Sequence, residues 1–129
     1  MNKPNIILIM TDQMRGDCLG ADGNSHIETP NLDFLAAQGT RFRHAYTACP
    51  SCTPSRATIM TGMKQWHTGI LGMGAGQGSI PNDFPHTMPG ELALAGYQTH
   101  LVGKGHFAPQ RTKMGFETHQ LDESGRMLA

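Results

Sequence analysis

The sequence predicts an α/β fold with a mainly parallel central sheet flanked by helices. Three observations carry that prediction. An Ile-rich apolar run, Asn5 to Met10, ends abruptly in the polar residues Thr11, Asp12 and Gln13. Two stretches with helical patterning, Thr29 to Gly39 and Thr87 to Gly96, are bounded by the residues that start and stop helices. Short runs of strand character alternate with them, giving the order strand, helix, strand, helix, strand.

Asn5 to Met10 is apolar on both faces, the mark of a buried, parallel, central strand. Residues just past the carboxyl end of such a strand lie where open α/β sheets place their ligands. Gly16, Gly20, Gly23, Asn24 and Ser25 make residues 14–28 a loop. Thr29 then suits an N-cap, Pro30 the first helical position and Gly39 the stop, with Leu32, Leu35 and Ala36 on one face. In Thr40 to Thr47, Phe42, His44 and Tyr46 alternate with Arg41 and Arg43, which predicts a short strand. Ser55 to Thr61 reads as a short helix closed by Gly62, and the Gly-rich residues 62–86 as an irregular stretch. Thr87 to Ala95 is a further helix, with Leu92 and Leu94 inside it and Gly96 at its end. Tyr97 to Val102 is a strand followed by Gly103, Lys104, Gly105 and His106; beyond Phe107 no further element is evident.

The length of 129 residues suits one small domain. Ten basic and ten acidic residues cancel to a net charge of zero. A protein held to nucleic acid by neutralising phosphates is basic, so that partner is excluded. No segment reaches the ~18 apolar residues of a membrane span. Ile6 to Met10 is also too short for the apolar centre of a signal peptide. The expected location is therefore the cytoplasm, or the periplasm if a leader has been removed. Hydrophobic residues make up 38%, and 16 Gly with 8 Pro make the chain loop-rich. Such a chain buries a modest share of its surface and is expected to complete its core within something larger. The incomplete sheet would leave an open strand edge, so self-association is an expected consequence. Three cysteines, Cys18, Cys49 and Cys52, are an odd number and argue against a disulfide framework.

The chemistry concentrates in the segment CTPSRATIMTG, Cys52 to Gly62. Cys52 precedes Pro54 and a predicted helix. A side chain there faces unpaired backbone N–H groups and the positive end of the helix dipole, which favours an anion. Arg56 lies one turn further along, and its planar fork suits sulfate or phosphate oxygens. These residues read as an activated nucleophile with an oxyanion partner. Cys49 and Cys52 also form C-x-x-C, which fits a redox pair or half of a zinc site, with Cys18, His26 or His44 as further donors. His67, after Trp66 in the Gly-rich stretch, is a candidate for lining a pocket.

CTPSRATIMTG resembles the C-x-P-S-R signature of the formylglycine-dependent sulfatases, members of the alkaline phosphatase superfamily. The resemblance extends to NIILIMTDQ at Asn5 to Gln13, TPNLDFLAAQGTRFRHAY at Thr29 to Tyr46 and ELALAGYQTHLVGKGHF at Glu91 to Phe107. It implies an alkaline-phosphatase-like fold, with residues 1–129 forming the amino-terminal part of a sulfatase catalytic domain. It implies that Cys52 is converted to Cα-formylglycine, whose hydrate offers one hydroxyl to attack sulfur and a second through which the intermediate collapses and releases sulfate. A serine at this position would lack the second hydroxyl. Family metal ligands fall on Asp12, Gln13 and the modified Cys52, oxygen donors suited to Ca²⁺, with Mg²⁺ or Mn²⁺ as alternatives. Many members carry a second Asp where this chain has Gln13, and a Trp where it has Gly105. Lys104 and His106 match the family's G-K-x-H segment, where Lys104 binds the sulfate and the diol, and His106 assists its collapse. The implied substrate is a small-molecule or carbohydrate sulfate ester. A phosphonate monoester or phosphodiester hydrolase of the same superfamily and a non-catalytic interaction fragment are the alternatives. Because the family's remaining ligands lie downstream, the 129-residue chain alone is expected to be inactive.

Overall fold

The computed structural model describes residues 3–73, 78, 80, 84–107 and 109–122. The chain divides into two compact units, Met1–Ala45 and Tyr46–Ala129. No helix among the described residues is long and apolar enough to cross a membrane.

In the first unit a 3-10 turn, Gly20–Asp22, precedes helix α1, Pro30–Gln38. Pro30 opens the helix at the position where a missing N–H costs nothing. Thr29 occupies the N-cap position, but its hydroxyl caps no backbone N–H of the helix and instead links the preceding loop to the Asp33 side chain. It donates to Asp33 Oδ1 and accepts from the Gly20 N–H, both at 2.9 Å. Asp33 also accepts from the Ala21 N–H at 2.7 Å. Arg41 reaches back to Asp22 Oδ1 at 2.6 Å and to the Ala21 carbonyl. Polar contacts therefore stitch this unit together, and none of its described residues is buried. At its surface, hydrogen bonding and charge from Arg15 hold the Asp17 carboxyl below its usual range. Such an exposed pair adds little to stability.

Three expectations are corrected in this part of the chain. Asn5 to Met10 is neither a strand nor buried, with Ile7 81% and Ile9 78% exposed. A strand exists through the hydrogen bonds of its neighbours, and no described strand pairs with this run. Thr40 to Thr47 is likewise not a strand. The chain turns at residues 43–44, and Phe42 and Tyr46 stay exposed, because alternation selects a face only where something covers it. For the same reason the apolar face of α1 is uncovered, with Leu32 40% and Leu35 57% exposed.

The second unit holds α2 (Cys52–Thr61), α3 (Gln65–Thr68), α4 (Met88–Leu94), β1 (His100–Gly103) and β2 (Thr118–Leu121). Its core gathers Ala57 and Met60 of α2 with Ile70, Ile80, Phe107 and Met114, and Phe84, Leu101 and Phe116 pack against it. β1 and β2 pair in parallel, with His100 opposite Thr118 and Gly103 opposite Leu121. A reciprocal pair of bonds sets that register. The Glu117 N–H donates to Thr99 Oγ1 at 3.0 Å, and the Thr99 N–H donates to Glu117 Oε2 at 2.8 Å. Residues 104–117 join the two strands and carry Lys104 and His106.

α2 starts at Cys52, three residues ahead of the sequence expectation. It ends at Gly62, whose φ of 67° is the left-handed closure that glycine adopts without strain. α4 starts behind Thr87, whose hydroxyl accepts from the Gly90 N–H at 3.1 Å. Gly115, at φ 90°, packs so closely on that helix start that a Cβ would strike Thr87 Oγ1 and the Gly90 backbone. α3 forms inside the stretch expected to be irregular, and β2 forms beyond Phe107, where no element was expected. Gly74 and Gly76 of the Gly-rich stretch lie outside the described residues.

A candidate active site at the start of α2

Cys52 is the first residue of α2, behind an extended Ser51 at φ −132° and ψ 141°. Ser51 makes no side-chain cap, so its hydroxyl does not occupy the N–H groups of the first turn. Cys52 is half-buried and Cys49 is 8% exposed, and all three cysteines carry free thiols. Position 52 is thus accessible, while Cys49 packs as a small apolar side chain. Among the described residues no three His, Cys, Asp or Glu side chains converge to hold a metal ion. The zinc reading of C-x-x-C therefore gains no donor set there.

The inner face of α2 is Thr53, Pro54, Arg56, Ala57 and Met60, all buried. Arg56 is 8% exposed, and its Nη1 donates to the Lys104 carbonyl at 2.6 Å. A buried guanidinium must be hydrogen-bonded, and here one partner is the backbone of the turn that follows β1. The contact ties the CTPSR helix start to the GKGH turn, bringing together two segments about 50 residues apart in sequence. Lys104 and His106 are half-buried on either side of the buried Gly105.

His106 has φ 52°, in the left-handed region. Gln13, in the first unit, has φ 54°. Arg111 and Met114 are the other two non-glycine residues with positive φ among the described residues. Such conformations are uncommon in residues with a Cβ. Asp12 and Gln13 are exposed at the end of the apolar run. A carboxylate beside an amide carbonyl is a hard-oxygen donor pair, the kind that Ca²⁺ and Mg²⁺ take.

Thr47 belongs to none of the motifs named above. Its hydroxyl contacts both backbone polar groups of Cys49 and the side chain of Ser55. A Thr two residues ahead of a buried residue is a weak signal for such a turn. Thr53 Oγ1 is buried beside the candidate nucleophile with no hydrogen-bond partner among the described residues.

Compared with known proteins, residues 4–126 match the family described as Sulfatase. The chain is 50% identical over 121 residues to an arylsulfatase of Clostridium perfringens, covering 94% of this chain and 24% of that protein. It is 39% identical over 129 residues to steryl-sulfatase of Homo sapiens, covering 93% of this chain and 22% of that protein. Among solved structures, the phosphonate monoester hydrolase of Agrobacterium radiobacter superposes with a TM-score of 0.80 at 29% identity, over 96% of this chain and 27% of that one. The chain spans about a quarter of the length of these relatives.

Proposed function

The chain belongs to the sulfatase family, and from that premise we propose that residues 1–129 are the amino-terminal part of the catalytic domain of a sulfuric ester hydrolase. The observation that supports this reading is the bond from Arg56 to the Lys104 carbonyl, which joins the two segments that carry the proposed chemistry. Cys52 is the proposed site of formylglycine. Once formed, that group supplies a hydrated aldehyde, a nucleophile with its own route for releasing sulfate.

The remaining roles belong to side chains of the chain as it stands. The first-turn N–H groups of α2 favour negative charge developing at position 52. Arg56 holds the backbone of the Lys104 turn from inside the unit. Lys104 offers a compact ammonium charge to a sulfate oxygen. His106 offers an imidazole to move a proton at the nucleophile. Asp12, Gln13 and the converted position 52 are the proposed ligands of a divalent cation, Ca²⁺ before Mg²⁺ or Mn²⁺. When bound, the cation would neutralise sulfate oxygens and acidify a bound hydroxyl. The proposed substrate class is a small-molecule or carbohydrate sulfate ester.

The likeness to the phosphonate monoester hydrolase favours a second reading, hydrolysis of phosphonate monoesters or phosphodiesters by the same residues. Turnover of an aryl sulfate and an aryl phosphonate by the whole natural polypeptide separates the two. The sulfatase reading predicts a higher kcat/KM for the sulfate, and a fall of at least ~10³-fold for Cys52→Ala. Preference for the phosphonate would transfer the assignment to the second reading. Unchanged turnover in Cys52→Ala would reject both.

A further inference from the structure

We propose that Thr47 is a positioning residue for the nucleophile at position 52, a role that rests on the reading above. The Thr47 hydroxyl donates to the Cys49 carbonyl at 2.8 Å and accepts from the Cys49 N–H at 3.3 Å. Its third contact is with Ser55 Oγ, also at 2.8 Å. A hydroxyl has one hydrogen and two lone pairs. Its hydrogen goes to the Cys49 carbonyl, so Ser55 is the donor in the third bond, and the Thr47 hydroxyl is saturated. One atom thereby ties the approach segment at residue 49 to the first turn of α2 at residue 55, and Cys52 lies between the two anchors. Cys49 is itself buried, so the near anchor is fixed in the unit. Ser55 also bonds through its N–H to the Ser51 carbonyl at 3.1 Å, so the far anchor is fixed in the helix. The direction in which the chain enters α2, and with it the aim of side chain 52, depends on the Thr47 hydroxyl.

Loss of that hydroxyl would let the entry turn relax while leaving Lys104, His106 and the substrate contacts in place. Misplacement of a reacting group by about 1 Å costs up to ~10²-fold in rate. The test uses the whole natural polypeptide, produced in its own host, with turnover of an aryl sulfate divided by the fraction of position 52 converted, as read by peptide mass spectrometry. Thr47→Val, nearly equal in shape, is expected to lower kcat per converted site by about tenfold or more at unchanged KM. Thr47→Ser, which keeps the hydroxyl, is expected to restore most of the rate. If Thr47→Val fails to fold, Thr47→Ala is the second variant, with the same drop expected. A Val or Ala variant with wild-type kcat per converted site overturns the proposal. So does a Ser variant as slow as Val, because that result assigns the effect to the methyl group. A wild-type protein that is unconverted and inactive removes the functional reading and this proposal with it, an outcome distinct from the other two.

Discussion

Arg56 shows how one side chain changes meaning between sequence and structure. From its spacing it is an anion-binding fork beside Cys52; in the folded unit its Nη1 holds the Lys104 carbonyl from a nearly buried position. Replacing it with Ala removes that bond and opens a gap under α2. We expect Arg56→Ala to lose about 2 kcal/mol of unfolding free energy in a denaturant titration, and to slow turnover by displacing Lys104. An unchanged denaturation midpoint would show that the contact does not hold the turn. Thr53 gives the opposite expectation. Its hydroxyl is buried with no partner among the described residues, so Thr53→Val is expected to remove an uncompensated desolvation cost. The variant should be as stable as the parent, or more stable by up to about 1 kcal/mol. A loss larger than that would mean the hydroxyl is bonded in solution.

At the level of elements, α1, α4 and the strand expected at Tyr97 to Val102, seen as β1, were legible, while α3, β2 and the lack of strands at residues 5–10 and 40–47 were not. α1 and α4 lie within a residue or two of their predicted bounds, because Pro30, Thr87 and Gly96 act through local geometry that no distant contact alters. Strands depend on partners that sequence does not name. The apolar run at residues 5–10 has the right composition and pairs with no described strand, while β2 has a modest composition and pairs with β1. β2 is held by the Thr99–Glu117 exchange and by the turn around Gly115, neither of which leaves a periodic trace. Gly115→Ala places a Cβ against Thr87 and Gly90 at a φ of 90°. It is expected to cost 2 kcal/mol or more (roughly), read as a lowered Tm. Thr87→Ala, which removes only the cap of α4, should cost about 1 kcal/mol. If the glycine variant proved the milder of the two, the close packing of Gly115 on α4 would be wrong.

For the whole molecule, the segments of the candidate site were legible where its motifs are contiguous. CTPSR and GKGH each carry their proposed chemistry within a few residues, and the structure adds the bond between them. Thr47 was missed because its role is made by three hydrogen bonds and not by a motif. The apolar surface of the first unit has a further consequence. Ile6, Ile7, Leu8 and Ile9 are 56–81% exposed, more than a stable monomer ordinarily tolerates in one run. The 129-residue polypeptide is expected to self-associate with rising concentration in sedimentation velocity. Ile7→Lys combined with Ile9→Lys should shift it toward monomer. A single monomeric species at every concentration would contradict the expectation.

The central claim is that position 52 ceases to be a thiol and becomes the nucleophile. The most direct measurement is mass spectrometry of the peptide carrying residue 52, from active whole protein made in its own host. The account predicts an aldehyde, trapped as a hydrazone by an added hydrazine, in place of sulfur. An intact, alkylatable Cys52 in protein that hydrolyses sulfate esters would contradict it.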